Sequence, residues 1–198
     1  MAHRRATLRG ALPLAPWQPA APASETSVQD DRTALHVLAD AATFQAALGC
    51  AWQRAIRERH EVSLLMLAVD ARASAQASTR HWAVDAVAQV LQARIRRPGD
   101  LIARHDSADF AILLPCTHPI GATLLARELC ATIDARHVAA VPGEAAVTVA
   151  IGATGVQPDP DMTPDRLVSA ALAALADARC EGGNRVVQAG GRVAVGRD

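Results

Sequence analysis

Residues 62–69 (VSLLMLAV) carry no charge and a single hydroxyl. The run is far shorter than the roughly 20 apolar residues that cross a membrane. It lacks the polar alternation of a strand with one wet face, so it reads as a strand buried on both faces. Such a strand cannot stand alone. It has to lie inside a sheet that other apolar elements cover, and the rest of the chain must supply them.

The flanking sequence does so. Phe44, Leu48, Ala51, Trp52 and Ala55 recur at helical spacing within 41–60, and Val84, Val87, Val90, Leu91 and Ile95 mark a second helix that stops before Pro98-Gly99. Two short strands, 101–105 and 109–114, are joined by a turn at Asp106-Ser107-Ala108. Ile120, Leu124, Leu125, Leu129 and Ile133 give a third helix, and 147–154 (VTVAIGAT) reads as a strand. A fourth helix over 165–181 ends at Gly182-Gly183, and 185–188 is a last short strand. The order α, β, α, β, β, α, β, α, β implies an α/β (α+β) domain, with helices packed on one sheet.

Residues 1–30 are rich in Ala and Pro without periodicity, so they read as a tail, with the domain over 31–189 and a short C-terminal tail over 190–198. No stretch suits a membrane span or a signal-peptide core, which places the protein in the cytoplasm. Basic and acidic side chains balance at 20 each, and every basic one is arginine. A protein that grips polyanions in general carries a basic excess, so no nucleic-acid partner is expected. Any phosphate recognition must come from a local cluster. Cys50, Cys116, Cys130 and Cys180 show no C-x-x-C spacing and signal neither zinc nor a redox pair. Cys50 and Cys130 sit among apolar helical residues and read as small hydrophobes in or near a core. Trp17, Trp52 and Trp82 are too scattered for a stacking platform.

Six blocks, in order, resemble the GGDEF domain family. LHVLADAATF (35–44) is similar to that family's LTGLxNRRxF, and LLMLAVD (64–70) to its LxxLDxD strand. His81 and Asp85 fit GHxxGD, and RRPGDLIARHDSADFAILLP (96–115) resembles RPxDxxxRxGGDEFxxLLP. VTVAIGAT (147–154) is similar to VTxSIGxA, and ALADARCEGGNRV (174–186) to ALYxAKxxGRNRV. The resemblance implies a cyclase-like fold with a central, mostly antiparallel sheet. Active members condense two GTP molecules into cyclic di-GMP across a homodimer.

The resemblance also implies where the chemistry is altered. The family's cyclases hold Mg²⁺, a hard cation needing oxygen ligands, between a first-strand carboxylate and the third residue of the GGDEF turn. Those positions are Ala68 and Ala108, so no metal or other cofactor is expected unless residual cyclase activity persists. Asp70 shares a strand face with Ala68 and is the one candidate substitute. The two turn glycines, which let the backbone approach phosphates, are Asp106 and Ser107. A carboxylate about 4 Å from a phosphate charge costs roughly 4 kcal/mol at an effective dielectric near 20. Asp109 and Phe110 keep the end of the motif, with Phe110 read as core. The guanine-binding Asn falls at Gln76 and its partner at Asp85. The family's Phe-Lys becomes Arg72-Ala73, and its C-terminal Lys and Arg become Arg179 and Gly183. His81 and His105 match family positions and are read as structural.

One family element is intact. Arg97-Pro98-Gly99-Asp100 matches the RxxD inhibitory site, which in the family resembles a cyclic di-GMP sensor. A guanidinium makes bidentate bonds to phosphate and stacks on purines, and a carboxylate accepts from the guanine edge. Arg94 and Arg127 are further candidate contacts, and Arg96 adds local positive charge. A bare Pro-Gly turn is the competing reading. Three functions follow: a catalytically inactive cyclic di-GMP receptor, an interaction domain that docks on a cyclic di-GMP enzyme or effector, or a cyclase with a metal site rebuilt from Asp70, Asp85 or Asp109. A two-fold ligand also makes a homodimer plausible.

Overall fold

The structure is a computed structural model and describes residues 38–70, 77–135 and 147–190, with backbone only for 77–79. Tail residues 1–30 and 191–198, and Arg72, Ala73 and Gln76, lie outside the described residues.

The elements run α1 (Ala41–Glu58), β1 (Val62–Asp70), α2 (Ala77–Arg94), β2 (Leu101–His105), β3 (Ala108–Pro115), α3 (Pro119–Ala135), β4 (Thr148–Val156), α4 (Pro164–Cys180) and β5 (Arg185–Gln188). The five strands form one sheet in the order β2-β3-β1-β4-β5. All neighbours are antiparallel except β4 and β5, which α4 connects as a parallel crossover. The apolar run is the central strand, paired to β3 on one side and β4 on the other.

Alternation along β1 divides the core. Leu65, Leu67 and Val69 join the layer under α2 and α3, while Val62, Leu64, Met66 and Ala68 join the layer under α1 and α4. Asp40 caps α1, its carboxylate accepting the Thr43 N–H at 2.8 Å. The helix stops at Glu58, two residues short of the expected end, because Arg59 turns left-handed and the His60 N–H bonds back to the Ala55 carbonyl. The buried stripe of α1 is Phe44, Leu48, Ala51, Trp52 and Ala55. Cys50 lies off that stripe and is exposed, contrary to the expectation of a core position; Cys130 is buried as expected. Gly152 lets α4 lie directly on β4, since a Cβ there would collide with the Ala171 carbonyl and the Leu175 backbone. Among the described residues no helix is long and apolar enough to cross a membrane.

Candidate functional site

The β2–β3 hairpin carries the turn. Asp106 and Ser107 form it, both exposed, while Ala108 already belongs to β3 and not to the turn. The pairing slips between Arg104 and His105, so His105 faces Ala108. His105 Nδ1 accepts the Ser107 N–H at 3.2 Å, and its ring meets Phe44 edge-on at 6.0 Å. This histidine clamps the turn to α1.

Ala68 and Ala108, which the resemblance sets at the family's metal positions, belong to the apolar layer beneath α1 and α4. Ala68 is 5% exposed, and Ala108 packs against the same cluster. Methyl groups offer no oxygen to a cation.

Two of the carboxylates nearby pair with arginines. Asp109 Oδ2 accepts the Val69 N–H at 2.7 Å, and Oδ1 pairs with Arg80 at 3.0 Å. Asp85 meets Arg104 at 3.4 Å, in a pair where Asp85 is 71% exposed and only weakly held. The Arg104 guanidinium also lies 4.8 Å above the Phe110 ring, a cation–π contact on a buried core side chain.

Asp70 shares a strand face with Ala68, as expected, but its carboxylate lies at the α4–β5 turn. It accepts from the Asn184 backbone and feels the Arg179 charge, yet burial dominates and pushes its pKa up. Its Oδ2 is buried without a hydrogen-bond partner and abuts Gly183, which adopts φ +70°. Asp109 and Arg80 also act on Asp70, so two carboxylates and two arginines form one electrostatic group. Arginine side chains thus supply the positive charge at these carboxylates. Among the described residues, no three His, Cys, Asp or Glu side chains converge to hold a metal. The donor set here does not fit Mg²⁺: the two positions that the resemblance assigns to its ligands carry methyl groups, Asp109 is taken by Val69 and Arg80, and Asp70 is turned towards Asn184 and Gly183.

The RxxD element is a closed turn. The Asp100 N–H donates to the Arg97 carbonyl at 3.1 Å, and Gly99 takes φ +96°, a backbone that glycine adopts without strain. Arg97 is exposed and Asp100 half-buried. Burial raises the Asp100 pKa, and the Arg97 charge opposes that shift. Arg94 reaches across to Thr132 on α3 at 3.2 Å. Arg127 lines a cleft of about 280 Å³ with Cys130, Asp134, Asn184 and Arg185. Arg80 was not anticipated, and no motif marks it. Arg104 had a signal, because it falls on the arginine of the family's RxGGDEF string.

The hairpin lies at one end of the sheet, and the turn at Arg97–Asp100 leads directly into it through β2. Residues 30–185 match the family described as "Diguanylate cyclase, GGDEF domain", and the chain belongs to the GGDEF family. The fold is similar to the active GGEEF domain of a diguanylate cyclase from Vibrio cholerae, at 18% identity, TM-score 0.69, over 77% of this chain and 97% of that one. It is similar to the coiled coil and GGDEF domain of DgcB from Caulobacter crescentus in complex with c-di-GMP, at 22% identity, TM-score 0.64, over 78% and 83%. It is also similar to the diguanylate cyclase SiaD from Pseudomonas aeruginosa, in complex with its activator SiaC, at 26% identity, TM-score 0.64, over 80% and 61%. No curated protein matches.

Proposed function

We propose that this GGDEF domain is catalytically inactive and works in the cytoplasm as a receptor for cyclic di-GMP through Arg97 and Asp100. The observation that carries the inactive reading is the fate of the metal positions: Ala68 and Ala108 lie in an apolar layer, and the adjacent Asp109 is held by Val69 and Arg80. The receptor reading rests on the closed turn at Arg97–Asp100. It presents an exposed guanidinium beside a half-buried carboxylate, the pair a phosphate and a guanine edge require.

Calorimetric titration with cyclic di-GMP tests the receptor, alongside Arg97→Ala. Saturable binding lost in the variant supports it; no binding overturns it. Incubation with GTP and Mg²⁺ or Mn²⁺ tests inactivity, and formation of cyclic di-GMP would overturn that part and favour a rebuilt metal site.

A second reading, a domain that docks on a cyclic di-GMP enzyme or effector, has one observation in its favour. Ile120 and Leu124 lie one turn apart on α3 and are 61% and 53% exposed. Retention of a partner by the wild type, and its loss in Ile120→Asp/Leu124→Asp, distinguishes this reading from the first.

A further inference from the structure

At the end of the sheet away from the Asp106 turn, three side chains that the nucleotide reading leaves unused converge. Glu58 ends α1, His60 lies between α1 and β1, and Cys116 directly follows β3. His60 Nε2 lies 3.3 Å from Cys116 Sγ and 3.3 Å from Glu58 Oε2. His60 Nδ1 lies 3.3 Å from the Glu61 carbonyl oxygen. A carbonyl only accepts, so Nδ1 carries a hydrogen. Nε2 is then the nitrogen that faces the thiol, with the Glu58 carboxylate beside it.

The rest of the geometry presents the thiol outward. The imidazole is 18% exposed, whereas Cys116 is exposed. Cys116 adopts φ +51°, a left-handed conformation unfavourable for a residue with a side chain. The loop is pinned on either side of it. The Ser63 hydroxyl donates to the Thr117 carbonyl at 2.7 Å, and the Thr117 hydroxyl donates to the Pro115 carbonyl at 3.1 Å.

We propose that Cys116 is a modification site, a thiol activated by His60 with Glu58 behind it, that takes up small disulfides as a mixed disulfide. The thiol proton passes from Sγ to His60 Nε2, leaving a thiolate beside an imidazolium. The thiolate attacks one sulfur of the disulfide; a new S–S bond forms as the old one breaks. The departing thiolate takes the proton from Nε2. Cys116 is oxidised, and the departing half of the small disulfide is reduced. No metal or nucleotide enters the step, so the proposal stands apart from the cyclic di-GMP reading.

The other cysteines are internal standards. Cys50 and Cys180 are exposed, with no histidine at hydrogen-bonding distance among the described residues. Cys130 is buried, with its thiol pKa raised by that burial.

The test treats the full chain with a limiting amount of 5,5′-dithiobis(2-nitrobenzoate) at neutral pH and maps the modified peptides over time. Cys116 should react first, at least about tenfold faster than Cys50 or Cys180. His60→Gln should bring it down to their rate, with the fold checked by circular dichroism. Equal rates for Cys116, Cys50 and Cys180 in the wild type overturn the proposal, whether or not the variant folds. An undiminished lead in folded His60→Gln overturns it equally.

Discussion

The carboxylate of Asp109 accepts the backbone N–H of Val69 at 2.7 Å. Pairing between β1 and β3 ends two residues earlier, at Leu67 and Phe110. The side chain therefore continues the ladder where the backbone of β3 no longer does, and its other oxygen reaches Arg80 on α2. Asp109→Ala should strip an acceptor from the amide of buried Val69 and a partner from Arg80, costing about 2–3 kcal/mol. Asp109→Asn keeps an acceptor and should cost less. Arg80→Ala removes a side chain that is 53% exposed and should cost under about 1 kcal/mol. Urea denaturation of the three variants checks this ranking.

Restoring the family's ligands has a predictable effect on stability. Ala68 is 5% exposed in an apolar layer. Ala68→Asp with Ala108→Asp should destabilise the domain by several kcal/mol without a cation, because a carboxylate loses its hydration there. Mn²⁺ should raise the melting temperature of the double variant and leave that of the wild type unchanged. Equal shifts in both proteins would contradict the reading of Ala68 and Ala108 as the altered ligand positions.

The glycine of β4 is a packing requirement. A Cβ at Gly152 would strike the Ala171 carbonyl and the Leu175 backbone of α4, and backbone cannot swing aside as a flexible side chain can. Gly152→Ala should cost more than about 3 kcal/mol or prevent folding. Gly121→Ala on α3 meets only ordinary contact and serves as the tolerated control. Thermal melts of the two variants separate these outcomes.

Asp100 gives a pH signature. Its folded pKa is raised above the ordinary 3.8 by burial, so the folded state binds more protons than the unfolded state just above that value. Its contribution to stability therefore improves as pH falls through the folded pKa, and weakens as pH rises through it. Asp100→Asn should be more stable than the wild type at neutral pH, and the difference should shrink as pH falls towards 3.8. Paired melting curves across that range read it out.

Much of the fold was legible because periodicity reports burial. The run at 62–69 announced the central strand, and the stripe from Phe44 to Ala55 announced α1. The boundaries that slipped were set by single backbone conformations, such as the left-handed Arg59 that ends α1 early. At Ala68 and Ala108 the lack of an oxygen is plain from the sequence, and the structure adds that both methyl groups pack in the layer under α1 and α4. The site was not legible where direction mattered. Strand parity put Asp70 on the face of Ala68, but only tertiary packing sends its carboxylate to Asn184 and Gly183. Arg80 and Asp109 are 29 residues apart, and nothing local in either segment marks the pair.

The short contact ahead of α1 has a mechanical meaning. The Ala39 N–H donates to the Ile102 carbonyl, and the Arg104 N–H donates to the Ala39 carbonyl, at 2.9 and 3.0 Å. This bridge laces the entry to α1 onto β2, the strand that runs from the RxxD turn into the hairpin. A pull or twist applied at Leu38 is therefore passed to the strand between Asp100 and Asp106. Two hydrogen bonds thus make the start of α1 and the strand between the two turns a single mechanical unit.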